Sequence, residues 1–337
     1  MIDLFNLPTV GLIDATGWRL LLGVLAVLII ASLATLILSH TLTSERHAGL
    51  ITNLRARTWA WWGMVAVIAG VLMLGETATV ILFAVLSFLA LREFITISPT
   101  TQRDHGALVW MFWIILPLHY ISVWNHWYGF FAMFIPVYAF LFLPARQALA
   151  GDTKSFMRRA SVVQWSLMVS VYAVSHVPAL LQLPVAMMYG RDVAEGSAPG
   201  SGGPAGANLL LFLVIVVQGS DVLQYVWGKT FGKHPIAPKV SPNKTWEGFI
   251  GGVLSATALG TALWWVTPFT WWQAAIFAFL SCLLGFAGGL VMSSIKRDRG
   301  IKDFGSLIPG HGGVMDRIDS LTFAGPVFFH LVRFFFS

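Results

Sequence analysis

The chain has 337 residues, of which 57% are hydrophobic and 11% charged, with 15 Trp and a mean hydropathy of +0.75. A water-soluble domain of this length needs far more polar surface, so the composition excludes a soluble globular protein and indicates that the bilayer is the solvent. The net charge of +6 is explained by loops facing anionic lipid headgroups, so no nucleic-acid partner is expected. The single Cys282 lies in an apolar run, which excludes a disulfide framework and a cysteine-based metal site.

Apolar runs near the ~20 residues that cross ~30 Å of hydrocarbon recur along the whole chain. We predict an all-α polytopic membrane protein with about ten spans. In chain order they cover residues 18–38, 59–74, 77–91, 108–124, 127–143, 162–183, 208–227, 249–266, 272–292 and 321–336. Residues 1–17 contain no basic residue, and the run that follows is of membrane length, so we expect a retained anchor and no cleaved signal peptide.

A Gly/Ser/Pro-rich segment at residues 195–206 separates two regions of different character. Its composition is typical of a flexible linker without site chemistry, and we interpret it as an outer loop. Residues 1–206 then form an N-terminal region of about six transmembrane helices. Residues 207–337 hold most of the polar motifs, so we expect a C-terminal catalytic transmembrane region with a cytoplasmic loop.

The basic residues predict the orientation. If the N-terminus is outside, every Lys and Arg except Arg19, Arg191 and Arg333 falls in an inner loop or beside one. This bias is the one that the positive-inside rule describes. We therefore expect an integral protein of the cell (inner) membrane with both termini outside and the polar motifs in the cytoplasm.

The seventh predicted span carries the first polar cluster. Gln218, Asp221, Gln224 and Tyr225 recur at spacings of three and four, which place them on one face of a helix. An ionisable side chain at this depth is costly and indicates a functional site. The alternative is a structural Asp221 that is satisfied by a neighbouring helix.

The loop after this span has four Lys residues, at positions 229, 233, 239 and 244. Ser241, Thr245 and Glu247 are suited to cap the next helix, where free amide groups also favour phosphate. Lys244 is thus a candidate phosphate ligand. For Lys229 and Lys233 the alternative is that they only obey the positive-inside rule.

Residues 293–319 form the second and most polar cluster, between two strongly apolar runs. Cationic, carboxylate and Gly-rich elements of this kind can hold a polyphosphate and a divalent metal together. The cations are Lys296, Arg297, Lys302 and Arg317, and the carboxylates include Asp303, Asp316 and Asp319. The cluster predicts nucleotide chemistry at a membrane surface.

Three consecutive motifs in this cluster carry a family resemblance. They are Ser293-x-Ile-Lys-Arg, Lys302-Asp303-x-Gly305 and Pro309-x-His311-Gly-Gly-Val-x-Asp316-Arg317-Ile-Asp319. Together they resemble the signature of the phosphatidate cytidylyltransferases, also called CDP-diglyceride synthetases. Upstream, Ser241-Pro-x-Lys244-Thr-Trp-Glu-Gly is similar to another element of that family, whereas Gln224 stands where relatives often have Ala.

The resemblance implies that CTP and phosphatidic acid react to give CDP-diacylglycerol and pyrophosphate, a step of phospholipid biosynthesis that requires Mg²⁺. The lipid phosphate is already anionic, so catalysis reduces to positioning and to neutralising charge on the leaving group. One or two Mg²⁺ ions would be held by Asp221, Asp316 and Asp319, with Asp303 as the fourth choice. Membrane lipids are the other expected partners, and a homodimer is an expectation that rests on the resemblance alone.

The remaining site residues are assigned by charge and backbone freedom. The candidate catalytic residues are Lys244, Lys296, Arg297, Lys302, His311 and Arg317. The candidate substrate-binding residues are Ser241, Lys244, Thr245, Ser293, Gly312 and Gly313, the Gly pair because its amides can approach oxyanions. The alternatives are a plain turn for the Gly pair, a structural hydrogen bond for His311, and an ion pair with Asp316 or Asp319 for Arg317.

Two other functions fit parts of the pattern. Another CTP-using membrane enzyme, such as a polyprenol kinase, would transfer the γ-phosphoryl group and release CDP instead of pyrophosphate. A transporter would also carry an intramembrane Asp, but it would be expected to show interrupted helices in two related halves. Here the motifs crowd into the last third of the chain, which favours an enzyme.

Overall fold

Ten long helices make up most of the computed structural model, which describes residues 8–41, 45–185, 203–308 and 312–337. In chain order they are α1 (Ala15–Thr41), α2 (Glu45–Leu74), α3 (Glu76–Thr96), α4 (Gln102–Trp124), α5 (Tyr128–Ala148), α6 (Phe156–Gln182), α7 (Pro204–Phe231), α8 (Trp246–Ala262), α9 (Trp271–Asp298) and α10 (Met315–Phe336). The predicted all-α polytopic fold is confirmed. Most of the segment interpreted as an outer loop, residues 195–202, lies outside the described residues, and α7 already begins at Pro204.

Nine helices in the described ranges are long and apolar enough to cross a membrane. The predicted span at residues 249–266 corresponds to α8, which is not among these nine and whose 17 residues rise about 26 Å at ~1.5 Å per residue. A short 3₁₀ turn, Trp264–Val266, follows it. The sequence placed this span three to four residues too far along the chain, because the apolar run continues into that turn.

Three helices contain a π-helical turn close to a proline. The turns are Met111–Ile115 in α4, Phe134–Ala139 in α5 and Met168–Tyr172 in α6. Pro117 follows the first turn and Pro136 lies within the second. Because proline removes an amide donor, a local change of hydrogen-bond register lets the helix continue across the bilayer.

The helices differ strongly in how deeply they are packed. In the most apolar window of α6, 72% of residues are buried, whereas the value for α2 is 6%. Helix α6 packs between the N-terminal helices and α10, and α1 and α2 pack at the edge with apolar side chains such as Ile30 and Trp59 exposed. The N-terminal helices therefore support the C-terminal ones directly, through α3 and α6.

A small hairpin connects α7 to α8. Its strands, β1 (Pro235–Ala237) and β2 (Ser241–Thr245), are antiparallel, with Pro235 opposite Thr245 and Ala237 opposite Ser241. The sequence predicted only a loop here. The hairpin leaves Lys229, Lys233 and Lys239 exposed, whereas Lys244 is half-buried against the bundle.

Glycines let the C-terminal helices approach each other closely. A Cβ atom placed on Gly252 of α8 would lie 2.5 Å from the backbone nitrogen of Gln224 in α7, and one on Gly288 of α9 would lie 2.5 Å from the carbonyl oxygen of Asp319 in α10. Any larger side chain would push these backbones apart. Small residues at such crossings are typical of membrane helices.

Three histidines lie on α4, α6 and α10, and two of them, His119 and His176, are fully buried. His119 Nε2 contacts the Ser175 hydroxyl at 2.8 Å, and His176 Nε2 lies 3.3 Å from His330 Nε2. Rings of Phe131 and Tyr172 surround His176. His176 and His330 thus pack on each other, whereas His119 packs against the Phe131 and Tyr172 rings that also contact His176.

Candidate active site

A cavity of about 270 Å³ opens where α7, α9 and α10 end beside the hairpin. Its wall combines carboxylates, cations and aromatic rings. The lining residues are Asp221, Gln224, Tyr225, Asn243, Lys244, Thr245, Gly248, Phe249, Phe286, Gly289, Ser293, Asp316, Arg317, Asp319 and Ser320. The two polar clusters that the sequence singled out, which are far apart along the chain, therefore meet in one space.

Asp221 and Asp319 form a carboxylate pair on either side of one hydroxyl. The Ser320 hydroxyl donates a hydrogen bond to Asp221 Oδ2 and lies 3.3 Å from Asp319 Oδ1. The backbone amide of Ser320 also donates to Asp319 Oδ1, at 2.9 Å. Two buried carboxylates repel each other and lose solvation, so a pair like this needs cations nearby.

Lys244 and Arg317 are the cations that line the same cavity. The Lys244 ammonium lies 4.6 Å above the Phe286 ring, and burial lowers its pKa, against the charges of Asp221 and Asp319. The buried Nε of Arg317 has no hydrogen-bond partner among the described residues, while the Arg317 backbone carbonyl accepts from Gln218 Nε2 at 3.1 Å. An unsatisfied buried guanidinium nitrogen beside a cavity is costly and is suited to bind an anionic ligand.

Asp316 is held differently, although it lies only three residues before Asp319. Its Oδ1 accepts from Lys296 Nζ at 2.7 Å, and its Oδ2 accepts from the amides of Phe304 and Gly313 at 2.8 and 3.0 Å. Three donors thus satisfy this carboxylate within the protein. Asp316 fixes the segment between α9 and α10 to the first turn of α10.

The other predicted cations lie outside the cavity lining. Lys296 is paired with Asp316, and Arg297 donates to the carbonyls of Val240 and Ile301 at 3.1 and 2.9 Å. These bonds connect the hairpin to the start of the signature loop, here defined as residues 299–314. Lys302 is exposed on that loop.

Asp303 lies in the first half of the signature loop, and the Gly pair lies near its end. Gly312 has φ +82°, and its carbonyl accepts from the Ile308 amide at 2.8 Å. The exposed Asp303 borders Gly312 and does not line the cavity. The Gly313 amide is already bonded to Asp316, so it is not free for an oxyanion. His311 lies outside the described residues.

The predicted small polar residues divide into two groups. The Thr245 hydroxyl accepts from the Gly248 amide at 3.2 Å, which is the expected N-cap of α8, and Thr245 also lines the cavity. Ser293 lines the cavity too, while its hydroxyl donates to the Gly289 carbonyl at 2.7 Å. Ser241 lies at the start of β2, away from the cavity.

Glu93 of α3 is a site residue that the sequence analysis missed. Its Oε1 and Oε2 accept hydrogen bonds from the amides of Val314 and Met315 at 3.0 and 2.9 Å. A signal was present, because Glu93 is a carboxylate at the end of an otherwise apolar span. No spacing rule connects it to a motif more than 200 positions later.

The carboxylates do not converge on a single point. Among the residues that the structure describes, no group of three or more His, Cys, Asp or Glu could hold a metal ion. Asp221 and Asp319 are brought together, whereas Asp316 is bonded to the protein and Asp303 is remote. Mg²⁺ keeps several waters and takes one or two carboxylates together with substrate phosphates, so the donor chemistry of the Asp221–Asp319 pair fits this ion.

The chain is similar to known proteins over most of its length. Residues 55–335 match the model of a family described as the cytidylyltransferase family. The chain is 40% identical over 314 residues to an Escherichia coli K12 protein called uncharacterized protein YnbB, covering 92% of this chain and 96% of the relative.

Two relatives have names that state an activity. A phosphatidate cytidylyltransferase of Mycobacterium leprae is 38% identical over 182 residues, 52% of this chain and 51% of the relative. One from Pseudomonas aeruginosa PAO1 is 44% identical over 129 residues, 37% and 47% of the two chains. The chain thus spans about half the length of these two relatives.

Proposed function

The chain belongs to the cytidylyltransferase family, and from this premise we propose that it transfers the cytidylyl group of CTP to phosphatidic acid. The products are CDP-diacylglycerol and pyrophosphate. The observation that carries the proposal is the cavity in which Lys244 and Arg317 face the Asp221–Asp319 pair. Relatives named phosphatidate cytidylyltransferase support the choice of substrates.

The proposed reaction needs little acid–base chemistry from the protein. An oxygen of the lipid phosphate forms a bond to the α-phosphorus of CTP, and the bond from that phosphorus to the α–β bridging oxygen breaks. Pyrophosphate leaves with the electron pair. Because the attacking oxygen is already anionic, the protein contributes mainly orientation and charge neutralisation.

Lys244 and Arg317 are the proposed phosphate ligands. Both line the cavity, and the unpartnered Nε of Arg317 is available to a phosphate oxygen. Preorganised cations of this kind stabilise the charge that develops on the leaving group. Lys296 and Arg297 have a structural role in this proposal, because Lys296 is paired with the Asp316 carboxylate and Arg297 donates hydrogen bonds to two backbone carbonyls.

Asp221 and Asp319 are the proposed ligands of Mg²⁺. When bound, this ion supplies a positive charge that neutralises phosphate oxygens in a partly dehydrated site. The pair lies on two different helices, α7 and α10, so the Ser320 hydroxyl that contacts both carboxylates keeps the two helices in register. Asp316 and Asp303 are not proposed as ligands of the same ion.

The site is placed to receive one substrate from water and one from the bilayer. Tyr225 lines the cavity and is 57% exposed on the apolar surface of α7, where an acyl chain can lie. The hairpin and the signature loop cover the opposite side. We place this polar side in the cytoplasm, since the basic residues cluster there.

The activity is tested on purified protein in detergent with phosphatidic acid and CTP labelled at the α- or the γ-phosphorus. The expected result is α-label in a lipid product with the mass of CDP-diacylglycerol, and γ-label in pyrophosphate. Transfer of γ-label to the lipid with release of CDP would instead identify a kinase. The Asp319→Asn variant is the matched inactive control.

The orientation is tested by labelling single cysteines in intact cells. The native Cys282 is buried and contributes little background. Asn125, between α4 and α5, and Ser306, in the signature loop, are both exposed. We expect a membrane-impermeant thiol reagent to label Asn125→Cys, and to label Ser306→Cys only after the membrane is opened. The reverse pattern would place the site outside.

A further inference from the structure

A single carboxylate from the N-terminal helices holds the start of α10. Glu93 Oε1 accepts from the Val314 amide at 3.0 Å, and Glu93 Oε2 accepts from the Met315 amide at 2.9 Å. These amides lie at the N-terminus of a helix, where they have no carbonyl partner within the helix. A negative charge at this end is favoured by the helix dipole, and bonds from amides to a carboxylate are stronger than neutral ones.

Two glycines of the signature loop make room for this carboxylate. A Cβ on Gly305 would lie 2.6 Å from Glu93 Oε1, and a Cβ on Gly313 would lie 2.3 Å from Glu93 Oε2. Both distances are too short for any real side chain. A larger residue at either position would therefore displace the Glu93 carboxylate from the amides that it accepts from.

Glu93 and Asp316 together occupy three successive amides. Gly313 donates to Asp316, and Val314 and Met315 donate to Glu93. Next to these contacts, Phe94 of α3 stacks on Phe304 of the loop with ring centres 5.7 Å apart. The loop is thus bonded to α3 on one side and to α10 on the other.

The orientation of the catalytic turn depends on these bonds. Arg317 and Asp319 lie within one helical turn of Met315, so a shift of the first turn moves both side chains relative to Asp221 and Lys244 on other elements. A displacement of 1 Å at reacting groups costs about 100-fold in rate in well-studied enzymes. Glu93 lies outside the cavity lining, so it acts through the loop and not on the substrate.

We propose that Glu93 is a positioning residue, contributed by the N-terminal helices, that holds the signature loop and the first turn of α10 in the reactive arrangement. The kinetic part of this inference rests on the proposed function, whereas the anchoring part rests on the contacts alone. It also gives α3 a role in the site that its apolar sequence does not suggest.

The test compares Glu93→Gln with Glu76→Gln, two identical substitutions on α3. Glu76 lies at the other end of the helix, where it contacts His126 at 3.0 Å. Gln keeps the size of Glu93 but can accept from only one of the two amides, and its NH₂ group faces the other. Amide hydrogen exchange of residues 312–318 is measured first, because it needs no substrate. We expect exchange at least about tenfold faster in Glu93→Gln, since such amides then open locally, and no change in Glu76→Gln.

Turnover is measured next, per folded molecule, beside a thermal melt. We expect kcat to fall at least about tenfold in Glu93→Gln, KM for CTP to change less than about threefold, and Glu93→Asp to recover part of kcat because its charge is retained. Unchanged loop exchange would overturn the anchoring role. Faster exchange with wild-type kcat, or a lower melting temperature alone, would overturn the positioning role. If the wild type forms no CDP-lipid, the proposed function fails, and exchange alone decides whether Glu93 anchors the loop.

Discussion

Asp316 and Asp319 both lie in the first turns of α10, but their carboxylates accept hydrogen bonds from different numbers of protein donors. Asp316 accepts hydrogen bonds from the Lys296 ammonium and from two backbone amides of the protein. Among the described residues, Asp319 accepts hydrogen bonds only from the backbone amide and the hydroxyl of Ser320, and that hydroxyl also contacts the second carboxylate, Asp221. The difference teaches that residues of one motif can have separate tasks: the bonded carboxylate builds the loop, and the less bonded one is left for a ligand.

We expect the largest loss of turnover from removing the charge of Asp319 or of its neighbour Asp221, the carboxylates with few hydrogen bonds from the protein. Asp319→Asn and Asp221→Asn keep the shape of the side chain and remove its charge. If each carboxylate supports about 4 kcal/mol of charge stabilisation through Mg²⁺, turnover falls by about 1,000-fold. The melting temperature stays unchanged, and surviving activity needs more Mg²⁺. A melting temperature that falls in Asp221→Asn, with the Mg²⁺ requirement unchanged, would make Asp221 structural.

The cation opposite the pair gives the next effect. Lys244→Met keeps an unbranched side chain of similar length but removes the ammonium that lies over the Phe286 ring, so we expect a loss of about 100- to 1,000-fold in kcat, as for a missing transition-state donor. Lys239→Met, on the exposed part of the hairpin, is the matched control. Equal activity of the two variants would exclude Lys244 from the site.

Replacing Asp316, the carboxylate with three hydrogen bonds from the protein, is expected to lower both stability and turnover. Asp316→Asn leaves Lys296 without its partner and weakens two amide bonds, so the free energy of unfolding falls by about 1–3 kcal/mol. Turnover falls by no more than about 100-fold, through misplacement of the helix turn. Chemical unfolding and turnover are measured together. Loss of turnover as deep as in Asp319→Asn, without loss of stability, would place Asp316 among the metal ligands.

Lys302 gives the smallest expected effect, because it is a cation of the same motif that lies outside the cavity. It belongs to the same motif but is exposed on the signature loop and does not line the cavity. We expect Lys302→Ala to keep turnover within about twofold of the wild type, as is usual for surface substitutions. A loss of 100-fold would mean that the loop closes further over CTP than in this structure.

The sequence predicted the parts of the protein that local patterns control. The apolar runs predicted the all-α membrane fold, and the motifs around Lys302 and Asp316 predicted the family, both confirmed. The helical spacing of Gln218, Asp221, Gln224 and Tyr225 predicted a polar face. The last three line the cavity, whereas Gln218 donates to the Arg317 carbonyl. These features need no knowledge of which helices are neighbours.

What the sequence missed depends on such neighbours. Glu93 meets Val314 only because α3 packs beside α10, and no periodicity contains that contact. Charge alone likewise could not distinguish the roles of Arg297 and Arg317. Arg297 donates hydrogen bonds to backbone carbonyls, whereas Arg317 has a nitrogen without a partner among the described residues. Whether a cation of the motif can bind a ligand depends on whether nearby carbonyls or carboxylates of the protein already accept its hydrogen bonds.

The glycine crossings of the C-terminal helices bear on how this protein can change over time. At Gly252 and Gly288 the helices meet backbone against backbone, so the spacing across the cavity does not depend on the size of lipid-facing side chains. Leu254 and Ile276 are exposed on the apolar surface and can be exchanged for other apolar residues without moving the site. The bundle can therefore adapt to membranes of different acyl composition while its reacting groups stay in place.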